Sequence, residues 1–290
     1  MTMREDRETT SSSIDRRGRR RAQARALTRS TCELLNLPLD ACATACVAVM
    51  RYYARLDEEE AGTKEDTEAR WMKASPELVV PSAVYLACKL EESMVRLADA
   101  AHAARRVARK GVETCGTARV VLDTAANVML EAGEEERRRE AEALAGYEET
   151  SEAEEESGEL AGATYYAYKD RILELEQEIL RAMDYELNTE QGHKYMFHIV
   201  RTIGGGEELA RAASAVLLNM LFEVDGVATT VDAPTLGAAA VHLASVVLDC
   251  ADSLKSSGDK KWWEVLGFDF AVMEALELRY LKQKESSMRH

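Results

Sequence analysis

Apolar residues recur along this chain at three- and four-residue spacing over several helical turns at a time, and no run alternates apolar and polar as a strand would. From Ala22 to Leu35 the positions of Leu27, Leu34 and Leu35 predict a helix. It stops at Asn36-Leu37-Pro38, because proline cannot continue a helix and pushes its predecessor towards extended geometry. Asp40 is expected to cap a second helix in which Val47, Val49 and Met50 lie among alanines before Arg51-Tyr52-Tyr53. A charged loop is expected over 57–70. Ser75-Pro76-Glu77 then reads as cap, first-turn proline and first-turn acid. They open LVVPSAVYLACKLEES, which is apolar almost all round and so belongs in the middle of a bundle.

Residues 131–160 (EAGEEERRREAEALAGYEETSEAEEESGEL) break the pattern. Their charge density and lack of large apolar residues predict a solvated or disordered insertion. Helix is expected again from about Thr164 to Met183, with Ile172, Leu175, Ile179 and Leu180 on one buried stripe, until Asn188 and Thr189 break it. A short helix over Tyr195–Ile203 ends at Gly204-Gly205-Gly206. Segments at about 207–224, 233–251 and 262–284 complete the chain. The prediction is an all-α protein in two groups of helices. VPSAVYLACKL (80–90) has a faint echo in APTLGAAAVHLAS (233–245): a proline, then a small-residue helix that reaches a Leu-Ala dipeptide. Each would be the central helix of its group, making the chain a tandem of two similar bundles.

The length of 290 residues leaves room for two domains of roughly 100–150 residues. The net charge of −15 argues against a phosphate backbone as the main partner, since that contact needs clustered positive charge. Residues 1–15 are polar and expected to be disordered. The cluster RRGRRR at Arg16–Arg21 reads either as a nuclear-import signal or as a solvated helix entry. Six cysteines (Cys32, Cys42, Cys46, Cys88, Cys115, Cys250) form no CxxC pair and no disulfide framework, and are expected to be small buried hydrophobes in a reducing compartment. Neither an uninterrupted apolar span nor a signal-peptide core is present, so an intracellular soluble protein is expected, with no membrane partner.

No Gly-rich phosphate loop, paired-Asp metal motif, HExxH or nucleophile elbow occurs. The chain is therefore expected not to be an enzyme, with no catalytic residues, no metal and no cofactor. His193 and His198 lack a visible third ligand and read as packing or surface residues. The charges that invite a role are Lys89, where the apolar central helix turns polar, and Glu176, amid the buried stripe of the 164–183 helix. If those helices pack side by side, a cation and a carboxylate meet on a surface flanked by Leu90 and Tyr185, which suits docking of a partner helix. From spacing alone, two solvated helix ends are the plainer reading.

Taken together, these segments resemble a known family. PSAVYLACKLEES is similar to the third helix of the cyclin box, and YKDRILELEQEILRAMDYEL to its fifth, down to a glutamate nine residues before an aromatic (Glu176, Tyr185). EQGHKYMFHIV resembles the linker of transcription-type cyclins, with Gly192 in place of a proline before His193-Lys194-Tyr195. Asn219, the Val241-His242-Leu243-Ala244 stretch and Trp262-Trp263-Glu264 resemble the second box of the K, T and L subgroups. The resemblance covers about residues 20–285. It implies two tandem cyclin-box bundles, the first carrying the long acidic insertion. A disordered basic tail is expected at 1–21, a first box at 22–188 and a second box with a C-terminal helix at 189–290.

The resemblance further implies a nuclear regulatory subunit that binds the catalytic subunit of a cyclin-dependent kinase one to one. Further transcription-related proteins are possible partners, and direct nucleic-acid contact is not expected. The kinase interface would comprise Lys89, Leu90, Glu176, Leu180 and Tyr185, and the cyclin would activate allosterically by holding the kinase's active-site helix inward. A cyclin-fold scaffold, or a general transcription factor of the IIB type, is the alternative. Three features depart from the family. The segment 93–163 is unusually long, which leaves the fourth helix to be placed at 119–130. The first helix lacks the Met-Arg-x-x-Leu pattern of substrate-docking cell-cycle cyclins. The linker has lost its proline, which predicts a looser hinge.

Overall fold

The computed structural model describes residues 2–62, 74–113, 162–187, 190–251, 254 and 260–288. These form eleven helices in chain order: α1 Thr2–Leu34, α2 Leu39–Gly62, α3 Pro76–Leu90, α4 Leu97–Glu113, α5 Gly162–Ala182, α6 Gly192–Thr202, α7 Glu207–Glu223, α8 Val227–Thr230, α9 Ala233–Val247, α10 Trp262–Leu266 and α11 Phe270–Met288. Among the described residues there is no β-strand, and no helix is long and apolar enough to cross a membrane.

Helix α3 starts as its sequence dictates, with Ser75 in extended geometry ahead of Pro76. Residues Leu78 to Val84, Leu86, Ala87 and Cys88 are all buried, and α1, α2, α4 and α5 pack around the helix. Proline at position 81 would leave a hole in the backbone ladder, since it has no N–H to donate to the carbonyl of Glu77. Tyr168 of α5 fills it by donating its hydroxyl to that carbonyl at 2.6 Å. The second group repeats the plan. Helix α9 begins at Asp232, whose side chain accepts from the Thr235 N–H at 3.0 Å, and is surrounded by α6, α7 and α11. The echo between 80–90 and 233–245 thus marks the two central helices.

Several expectations need correction. Helix α1 runs from Thr2, so residues expected as a disordered tail are helical. The basic cluster is not a solvated entry. Arg20 is 7% exposed, lies 3.2 Å from Asp57 and stacks 5.1 Å above the Tyr53 ring. Arg21 reaches both Asp57 and Asp225, and Arg25 pairs with Asp225 while donating to the Phe222 carbonyl at 3.0 Å. Asp225 and Phe222 belong to the second group, so α1 ties the two groups together.

The fourth helix among the described residues is α4, and the helix placed at 119–130 lies outside them. The buried residues of α4 are the small Ala100, Ala101, Ala103 and Ala104, which let it lie close against α3 and α1, with Leu97 and Val107 partly buried beside them. The linker glycine sits in a close crossing of two helices. Gly192 is buried at the start of α6, and a Cβ built there would meet Leu217 at 2.9 Å, while one on Gly237 would sit 2.8 Å from the Gly192 carbonyl oxygen. Two glycines thus allow α6 and α9 to cross in close contact.

The C-terminal segment is two helices. Gly267, at φ +81°, ends α10 in the left-handed region, and Asp269 accepts from the Ala271 N–H at 2.9 Å to start α11. Asp40 lies in the first turn of α2 rather than at its cap. The acidic insertion 131–160, the helix placed at 119–130, Cys115, Asn188 and Thr189 lie outside the described residues. Cys32, Cys42, Cys46 and Cys88 are free and buried, while Cys250 is half-buried.

Candidate partner-binding surface

Helices α3 and α5 pack side by side through apolar faces, with Ile172, Leu175 and Ile179 wholly buried on the α5 side. That packing brings Lys89, near the end of α3, to Glu176, in the middle of α5, and their side chains form an ion pair. The two are unequal. Glu176 is nearly enclosed, its side chain 11% exposed, whereas the Lys89 side chain is 46% exposed. The ammonium also lies 4.7 Å from the centroid of the Tyr85 ring, one turn earlier on α3. The pair therefore holds the lysine in one place at the rim of the bundle and leaves it open to solvent.

The chain leaves α3 in a fixed way. Glu92, at φ +53°, takes the left-handed position, and the N–H groups of Glu91 and Ser93 donate to the carbonyls of Ala87 and Cys88 at 2.9 and 2.8 Å. Glu91 accepts from Thr44 of α2 at 2.7 Å and from Gln191 at 2.8 Å. Gln191, 4% exposed, also donates to the Asp40 carbonyl at 3.1 Å. This network fixes the end of α3, two residues from Lys89, to α2 and to the linker before α6. Sequence reasoning missed Thr44, Glu91 and Gln191, because nothing local distinguishes one glutamate in Glu91-Glu92 from the other.

The remaining expected residues divide. Leu90 and Leu180 are half-buried against the core of the first group. Tyr185 is 61% exposed, on a turn where it and Asp184 both take left-handed geometry at φ 58° and 52°. It lies past the end of α5 at Ala182, whereas Glu176 is in the middle of that helix, so it sits at the edge of the surface. Leu173 was not foreseen. It is 37% exposed and shares one stripe of α5 with Glu176 and Leu180, at spacings of three and seven residues. Exposed Leu187 and Met94 add apolar area after α5 and α3. The result is an apolar surface around one anchored cation, suited to a partner's helix.

Two groups whose titration is shifted, Glu77 and His193, are not among these surface residues. Burial pushes the Glu77 carboxyl up to about 7, against the opposing pull of Arg105 and Arg109. Burial pushes His193 below its ordinary value, with Asp40 pulling the other way. His193 is buried and His198 exposed, on opposite faces of α6, so they do not share a site.

Comparison of the sequence with known protein families and with curated proteins gives no match. Comparison of the fold does: sixteen chains of solved structures match. One belongs to the yeast RNA Pol II CTD kinase CTDK-1 complex, with a TM-score of 0.57 and 13% identity, covering 93% of this chain and 66% of that one. The chain thus spans just under two thirds of its solved neighbour. At that identity the likeness is one of fold, and it supports an all-helical architecture.

Proposed function

We propose that this chain is the regulatory, cyclin-type subunit of a cyclin-dependent protein kinase, with its two helical groups (residues 22–188 and 189–290) serving as the two cyclin boxes. The observation that carries the reading is the half-exposed Lys89, pinned by Glu176 on the apolar rim of α3 and α5, in a fold similar to a chain of a kinase complex. Leu90, Leu173 and Leu180 pack against the kinase helix that bears the active-site glutamate, Lys89 meets its polar groups, and Tyr185 closes the edge. By binding the inward position of that helix more tightly than the outward one, the subunit shifts the kinase towards its active state. It supplies no catalytic group. The linker and Trp262-Trp263-Glu264 favour a nuclear kinase of transcription or RNA processing, with further transcription-related proteins as partners.

Exchange of the two charges tests this. Lys89→Glu with Glu176→Lys preserves an internal pair but reverses the charge shown to the partner, which costs about 2–5 kcal/mol at a desolvated contact. Co-purification with the kinase should be lost while circular dichroism stays unchanged. Binding that survives the exchange removes the interface. A complex that forms without raising kinase activity leaves a scaffold in place of an activator.

A further inference from the structure

Helix α6 has two unlike faces, and the proposed kinase contact uses neither. Gly192, His193, Met196, Ile199 and Val200 are buried against α9 and α7, and the contact between Gly192 and Gly237 holds the helix close. On the opposite side Lys194, Phe197, His198 and Arg201 are all exposed. Their spacing of three, four and seven residues makes one stripe, about 10 Å from the lysine to the arginine. Phe197, in its middle, is 51% exposed.

The charge of this stripe is out of keeping with the chain. Acidic residues outnumber basic ones 52 to 37, yet none occurs from Gln191 to Gly206. Two arginines elsewhere have carboxylates within reach, Arg171 with Glu174 at 2.8 Å and Arg211 with Glu207 at 3.5 Å. Among the described residues no carboxylate pairs with Lys194 or Arg201.

We infer that the outer face of α6 docks a short acidic segment of a partner protein that carries an apolar side chain. Carboxylates of the segment meet Lys194 and Arg201, and its aliphatic or aromatic side chain covers Phe197, giving charge complementarity around an apolar centre. The stripe is closed at both ends. Exposed Glu190 precedes it, and exposed Glu207 and Glu208 follow. A longer polyanion would run onto like charge, and a nucleic-acid strand needs a basic groove that tracks its backbone. The short peptide fits the length of the stripe.

The test is selection of a random-peptide phage library on the full chain, then anisotropy titration of the enriched peptides and of a labelled oligothymidylate. Enriched peptides should pair Asp or Glu with Leu, Ile, Phe or Trp. Phe197→Ala should weaken them roughly tenfold or more, and Lys194→Glu with Arg201→Glu should abolish binding. Lys194→Arg with Phe197→Tyr should retain it. These positions are exposed, so circular dichroism should be unchanged throughout. The proposal is overturned if nothing is enriched, if the enriched peptides are not acidic, or if the variants bind them as the parent does. Oligothymidylate binding that is lost in the same variants overturns it in favour of a nucleic-acid surface.

Discussion

Tyr168 of α5 donates its hydroxyl to the backbone carbonyl of Glu77 in α3, the acceptor that Pro81 leaves without its helical partner. One side chain thereby repairs a defect that another creates, across two helices far apart in sequence. Tyr168→Phe keeps the ring but strands a carbonyl in the packed contact between these helices, and should cost about 1–3 kcal/mol in urea denaturation. The dependence on Pro81 gives the sharper check. In a Pro81→Ala background the restored N–H satisfies the carbonyl, so removal of the hydroxyl should cost much less there. Equal costs in both backgrounds would show that the two residues are not coupled.

His193 predicts a pH dependence of stability. It is 2% exposed, and neither ring nitrogen has a hydrogen-bond partner. Burial lowers its pKa in the folded state, so the unfolded chain binds the extra proton more readily. Its contribution is therefore complete above the unfolded value of about 6.5 and is lost as pH falls below it, by up to about 1.4 kcal/mol per pH unit. Asp40 faces the ring and moderates the loss. Thermal unfolding from near-neutral pH to pH about 5 should show this slope, and His193→Met should flatten it. An unchanged slope in the variant would place the titration elsewhere.

The crossing of α6 and α9 gives a third expectation. A methyl on Gly237 would come within 2.8 Å of the Gly192 carbonyl oxygen and 3.0 Å of the Met196 nitrogen, both backbone atoms that a rotamer change cannot move. Gly237→Ala should destabilise by about 1–3 kcal/mol despite the better helix propensity of alanine. Gly206→Ala is the control, since nothing lies within 4 Å of a Cβ there. It should be close to neutral in the same denaturation experiment. A neutral Gly237→Ala would mean that the two helices cross less tightly than described.

These cases show which parts of the molecule were legible in the sequence. Helices α3 and α9 could be read because a helix surrounded by others is apolar on every side. Helix α4 could not, because its buried face is made of alanines, which signal propensity more than burial. Arg21 looked like part of a solvated cluster because its partner Asp225 lies 204 residues away. Lys89 and Glu176, 87 residues apart, were joined only by the resemblance, since spacing favoured two solvated ends. The anchoring of Lys89 from below, through Glu91, Gln191 and Thr44, belongs to three separate elements and leaves no local trace. Leu173 was within reach, since it sits three residues before Glu176 on the same stripe.

Asp225 has a wider consequence. It stands in the short connection between α7 and α8, and α1 reaches it with Arg21 and Arg25. The N-terminal helix is thus a strut fastened to the far half of the molecule, with this carboxylate as one bolt beside Glu223 and the Phe222 carbonyl. Removal of the carboxylate would leave the buried Arg25 guanidinium without its counter-charge and turn that fastening into a cost to folding.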